Sequence, residues 1–192
     1  MSASSPTGVQ AGRGDPVGSI ERRPGPNGGQ RPQFRTLIIG YGSPIRGDDA
    51  LGPLAADLLD QRLSARAGAS THIEVFARHI LTAELVDDLI RAQRVVFIDA
   101  AADSPPGQIN LRRLTPNASA LSTMAHFHDP RELLAWCGAL YQRAPEAWLF
   151  SVGGGQWGYA SYTLSGAAQD AIEPLIAQVL ALIEQPLTAT HG

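Results

Sequence analysis

The sequence predicts an α/β protein, a three-layer α/β/α sandwich around a mostly parallel, twisted sheet of about five strands. Three observations point there. Thr36–Ile39 and Val95–Ile98 are short, largely apolar runs of the kind that parallel sheets bury on both faces. Stretches with apolar residues at helical spacing separate the strand-like runs, and strands joined through helices pair in parallel. The first apolar run also ends in Gly40 and a glycine-punctuated loop that opens into a helix, carrying Asp48 and Asp49 to its start. Such a loop lies at the carboxyl end of a strand, where α/β proteins place their chemistry.

Taken in order, residues 1–33 are rich in Gly, Pro, Ser, Gln and Arg, with almost no apolar periodicity. A disordered tail is expected there. Arg13-Gly14-Asp15 has the form of an adhesion tripeptide, but so short a match carries no function in such a tail. A single domain is expected over 34–185, with 186–192 frayed. After the first strand, Leu51, Leu54, Ala55, Leu58 and Leu59 define one helix face. His72–Ala77 alternates like a strand. Thr82 reads as the cap of a helix running to about Ala92. Val95–Ile98 is the next buried strand, ending at Asp99. Ser104–Gly107 is a turn, and Gln108–Leu114 is a more polar edge strand, followed by loop to Asp129. Asp129 then caps a helix with Pro130 at its first position, facing inward with Leu133, Trp136, Cys137, Leu140 and Tyr141. Trp148–Val152 is the fifth strand and runs into Gly153–Gly155. A last helix spans Ser165–Glu184.

Bulk properties narrow the function. The net charge is −3 with no basic run, which gives no footprint for nucleic acid or an anionic membrane. No apolar stretch is read as reaching the roughly 18–20 residues of a membrane helix, and no secretory signal is expected. The one cysteine, Cys137, excludes an internal disulfide and a multi-cysteine zinc site, and fits a cytoplasmic protein. A monomer is the expected state.

Three loops carry the candidate chemistry. Two successive carboxylates at a helix start leave one spare if the other caps the helix. Asp99 follows a buried strand, where an unpaired carboxylate is costly. His126 and His128 lie in the loop before the Asp129 helix. Asp49, Asp99 and one histidine therefore form a possible three-ligand set for zinc, nickel or cobalt, with positions open for water or an incoming ligand. Other chemistries fit less well. GYGSPIRG lacks the third glycine of a dinucleotide loop, Asp48 and Asp49 would repel a phosphate, and no Walker lysine follows. There is no G-x-S-x-G, Ser43 has no evident base, and Cys137 sits on an apolar helix face. Hydrolysis would have to use metal-bound water or a substrate-borne metal rather than a covalent intermediate.

GYGSPIRGDDALGP, ILTAELVDDLIRAQRVVFIDAA, HFHDPRELL and the late glycine-rich segment together resemble the hydrogenase maturation endopeptidases over most of residues 36–175. The resemblance implies a phosphorylase/hydrolase-like fold and a cytoplasmic aspartate-containing endopeptidase. Such an enzyme trims the C-terminal extension of a nickel–iron hydrogenase large-subunit precursor. It implies nickel recognition by Asp49, Asp99 and His126; His126 is taken over His128 because the family places its histidine four positions before the residue that is Pro130 here. The nickel would belong to the precursor, and zinc or cadmium could occupy the site in vitro. Gly40, Gly42 and Gly47 would shape the loop, Asp48 would cap the helix and orient Asp49, and Gly153–Gly155 would border the substrate cleft. Ser43 departs from the family's Asn, Ala50 from a frequent Gly, and Ala125 from a hydroxyl residue. The rival readings are a non-catalytic nickel-binding or chaperone-like protein, and a protease with a non-hydrogenase substrate.

Overall fold

A computed structural model describes residue 1 and residues 34–65, 72–117, 126–127 and 129–187. The expected tail, its Arg13-Gly14-Asp15 and His128 lie outside the described residues.

The element order is β1 (Phe34–Tyr41), a 3-10 turn (Gly47–Ala50), α1 (Leu51–Ala65), β2 (Ile73–Arg78), β3 (Leu81–Thr82), α2 (Leu85–Leu89), β4 (Ala92–Ala101), β5 (Ile109–Leu114), β6 (His126–Phe127), α3 (Pro130–Tyr141), β7 (Glu146–Gly153) and α4 (Gly166–Glu184). Five strands form one sheet in the order β2-β1-β4-β7-β5. All pairs are parallel except β5 with β7. β1 lies between β2, which follows it, and β4, which comes later, so the order reverses at β1 and β4. A crevice opens outside the carboxyl ends at such a point.

Alternation along the strands divides the core in two. Ile38, Val96, Ile98, Phe150 and Val152 face α1 and α4, which cover them with Leu51, Ala55, Leu59, Leu175, Ile176 and Val179. Leu37, Ile39, Val95, Phe97 and Leu149 face the other way, against Leu85, Leu89, Leu133, Leu134 and Cys137 of α2 and α3. The central strands are apolar on both faces because both are covered.

Four local expectations are corrected. Thr82 does not cap a helix: it pairs with His126 in the two-stranded antiparallel β3–β6 ribbon, and the five-residue α2 starts after Glu84 with no side-chain cap. The stretch before Asp129 is likewise not all loop, because β6 interrupts it. Leu54 and Leu140, expected on inward faces, are exposed, while Leu134 is buried in place of the latter. Finally, α4 is by length and composition apolar enough to cross a membrane; in the fold its eight buried residues, from Ala168 to Ile183, line the cover of the sheet.

Other details follow the sequence. Asp129 caps α3, accepting from the Arg131 N–H at 2.9 Å, with Pro130 behind it. Ser165 caps α4, its Oγ accepting from Ala168 N–H at 3.3 Å. Cys137 is buried in the core, and burial pushes its thiol up to about 12. It is a packing residue.

Candidate active site

The loop after β1 is tied across the rim to the loop after β7. Gly47 N–H donates to Ser161 O at 2.9 Å, Asp48 N–H to Gln156 O at 2.8 Å, and Ser161 N–H to Ile45 O at 3.1 Å. Backbone pairing fixes the outer edge of the crevice.

Asp48 completes that tie, and its role differs from the one read in the sequence. It is fully buried and does not cap the helix that follows. Its carboxylate accepts from Gly155 N–H at 2.7 Å, Gln156 N–H at 3.0 Å, Ser165 N–H at 2.6 Å and Ser165 Oγ–H at 2.8 Å. Burial alone would raise its pKa, but the hydrogen bonds from Ser165, Gly155 and Gln156 outweigh it and hold the group below the usual carboxylate value. Asp48 is thus an ionised anchor for the segment Gly153–Gly155 and for the start of α4. Gly153 and Gly154 are themselves buried.

With Asp48 engaged elsewhere, Asp49 is the spare carboxylate. Its Oδ2 accepts from the Ser43 N–H at 3.1 Å. The main chain makes this bond, so Ser43 can hold Asp49 without the amide of an asparagine. Gly42 is the tight point: its φ is +139°, and a Cβ there would collide with the Asp49 carbonyl and stand 3.0 Å from its Oδ1. Gly40 permits a different approach, because a Cβ there would overlap the Gly52 backbone in the first turn of α1.

Asp99 lies within β4, which runs on to Ala101 instead of ending at Ile98. Gly40 of β1 pairs with Ile98, setting Tyr41 beside Asp99. Burial is the main cause that lifts the Asp99 pKa to about 7; the Tyr41 hydroxyl and the Ala100 N–H, which donates at 2.8 Å, oppose it, and the charge of Asp49 adds to the rise. Tyr41 is held protonated by burial and by the neighbouring Asp99. Asp99 therefore feels the charge of Asp49 at the reversal of strand order. A carboxylate pair of this kind favours a shared proton or a shared cation.

His126, the expected third ligand, is less fully described. The main chain of His126 belongs to β6, opposite Thr82. Leu81 of β3 is buried with Tyr41 and Phe97 on one core face, so β3 and β6 lie on the face toward which Asp99 and Tyr41 point. Asp129, just beyond, is near enough to Tyr41 to raise its pKa. The His126 side chain lies outside the described residues. Among the described residues, no three His, Cys, Asp or Glu side chains gather closely enough to hold a metal.

Tyr41 was not singled out in the sequence, although it stands between the glycines of the first motif. Its parity with Ile39, two residues back on the same strand face, is the signal that places it beside Asp99.

No protein-family model and no curated protein sequence matches the chain. Solved structures do. The NiFe hydrogenase maturation protease HycI from Thermococcus kodakarensis superposes with a TM-score of 0.61 at 18% identity, covering 79% of this chain and 94% of that one. The hydrogenase maturating endopeptidase HybD from E. coli gives 0.61 at 21% identity, over 78% and 92%. The hydrogenase 2 maturation peptidase of a Thaumarchaeota archaeon gives 0.56 at 25% identity, over 78% and 98%. The chain has the fold of the hydrogenase maturation proteases.

Proposed function

We propose that this chain is an endopeptidase that removes the C-terminal extension of a nickel–iron hydrogenase large-subunit precursor once nickel has been inserted. Asp49, Asp99 and His126 dock on the nickel that the precursor carries. The observation that carries this reading is the Asp49–Asp99 pair at the reversal of strand order, in a fold shared with proteins of that activity. The donor chemistry fits. Two carboxylates, one held near neutrality by burial, are relieved of mutual repulsion by a divalent cation, and an imidazole completes an O/O/N set with open positions.

Each group has a distinct task. Asp49 is aimed by the Ser43 N–H, and Gly42 gives it room. Asp99 is aimed by Tyr41 and by the Ala100 N–H. Asp48 keeps the loops on either side in register. Docking on a metal the substrate brings makes recognition conditional, because a precursor without nickel offers the carboxylates nothing to bind and leaves them repelling each other. The nickel would supply Lewis acidity beside the peptide to be cut, with water as the attacking group, so no nucleophilic side chain is required. The chain acts in the cytoplasm, as a monomer.

The test is direct. Purified protein is incubated with nickel-loaded and nickel-free precursor, and product size is followed by mass spectrometry. Shortening of the loaded precursor alone is expected. A stable complex with uncut, loaded precursor would identify a binding protein instead.

A further inference from the structure

The residues level with Asp99 are polar across the whole sheet. Arg78 pairs with Tyr41, Asp99 pairs with Ser151, and Ser151 pairs with Asn110. Register and parity put all five on the face that carries the α2 and α3 core. One row deeper on that face stand Phe76, Ile39, Phe97 and Leu149, and then Arg112 on β5. An apolar row thus gives way, at the rim, to a polar one that includes Asp99.

From Asp99 the row runs toward the β5 edge. Ser151 is half-buried, and its side chain makes no hydrogen bond among the described residues. Asn110 is braced on both sides: it donates from Nδ2 to Ser104 Oγ at 3.2 Å and accepts at Oδ1 from Gln108 Nε2 at 2.8 Å. Among the described residues its second Nδ2 hydrogen has no such partner. Arg112 is exposed and stands on β5 one row deeper, paired with Leu149 on the same face. A positive group therefore stands at the β5 edge, on the sheet face that carries Asp99.

Resting on the metal-docking reading above, we propose that the precursor polypeptide lies along this row from Asp99 to the β5 edge, with Ser151 Oγ donating to a peptide carbonyl and Arg112 pairing with an acidic group of the peptide. Three features select an extended acidic polypeptide as occupant. The row is continuous with Asp99. Neighbouring strands present its side chains about 4.8 Å apart, so Asp99, Ser151 and Asn110 form one unbroken polar line. The Arg112 guanidinium, one row deeper on the β5 edge, matches a carboxylate geometrically.

The experiment uses the full chain and a nickel-loaded large-subunit precursor, reading KM, kcat and equilibrium binding for the wild type, S151A, R112K and R112E. Both positions lie outside the buried core, and thermal melts check that each variant folds. We expect R112E to raise KM by about tenfold with kcat within about twofold, R112K to recover most of the loss, and S151A to raise KM about threefold. Replacing acidic residues of the precursor's C-terminal segment by lysine should reverse the order of wild type and R112E. Unchanged KM and affinity in both S151A and R112E overturn the track, while cleavage by wild type keeps the metal-docking reading. If the wild type binds without cutting, the affinities decide the track alone and the endopeptidase reading falls. If it neither binds nor cuts, both fall.

Discussion

Asp48 and Ser165 stand 117 residues apart, yet one carboxylate takes both the N–H of Ser165, at 2.6 Å, and its hydroxyl, at 2.8 Å. The residue that opens the carboxylate pair thereby holds the start of the last helix, and its Oδ2 also holds Gly155 and Gln156. Asp48→Ala would leave several donors with no acceptor. We expect a loss of about 3 kcal/mol, read as a fall in Tm of roughly 6–12 °C for a chain of this size. The pH dependence has a definite sign. The folded pKa is depressed, so the stabilisation is complete above the ordinary carboxylate value and is lost as pH falls below about 4 through the folded pKa. Acid unfolding of Asp48→Ala should therefore have a shallower slope in that range. An unchanged slope and midpoint would contradict the anchoring role.

Asp99 has the opposite sign. Its folded pKa is raised to about 7, chiefly by burial and further by Asp49. The folded state thus keeps a proton that the unfolded chain has released, and stability drains away as pH rises from about 4 to about 7. Asp99→Asn removes that drain. In the presence of chelator, its Tm should exceed that of the wild type by a margin that grows from pH 4 to pH 8, while cleavage is lost. An equal margin at both ends would show that Asp99 titrates normally.

Gly42→Ala tests how Asp49 is positioned. A methyl group at φ +139° meets the Asp49 backbone and crowds its carboxylate. We expect cleavage to fall by at least about 100-fold, with secondary structure retained by circular dichroism, since misplacing a reacting group by about 1 Å costs that much. Near-normal activity would mean that the Asp49 position is not critical.

At the opposite end of the sheet, Arg94 is buried against Glu146 at 3.2 Å and donates to the carbonyls of Leu182, Gln185 and Pro186. It fastens the end of α4 to β4. Removing one partner of a buried pair strands the other, so Arg94→Ala should lower stability by about 3–5 kcal/mol in urea unfolding. Less than about 1 kcal/mol would show that the site relaxes or hydrates freely.

The strands were legible because Thr36–Ile39 and Val95–Ile98 are buried on both faces, which leaves no polar alternation to confuse their period. Asp129 was legible as a cap because a cap bonds two or three residues ahead. Thr82 misled for the complementary reason: the local pattern offered a cap, but pairing with His126, far along the chain, took the residue into a ribbon. Asp48 could not be read correctly, since its partners lie more than 100 residues on. Ser151 and Asn110 were equally hidden. Only the register of three strands sets them level with Asp99.

One measurement bears most directly on the shared ion. Crystals of the full chain soaked in nickel or cadmium, with anomalous diffraction recorded, should show one strong peak. For nickel, we expect carboxylate oxygens of Asp49 and Asp99 and an imidazole nitrogen of His126 at about 2.0–2.2 Å from it, with at least one position open. A peak remote from the Asp49–Asp99 pair, or one ligated by His128 with His126 turned away, would contradict the assignment.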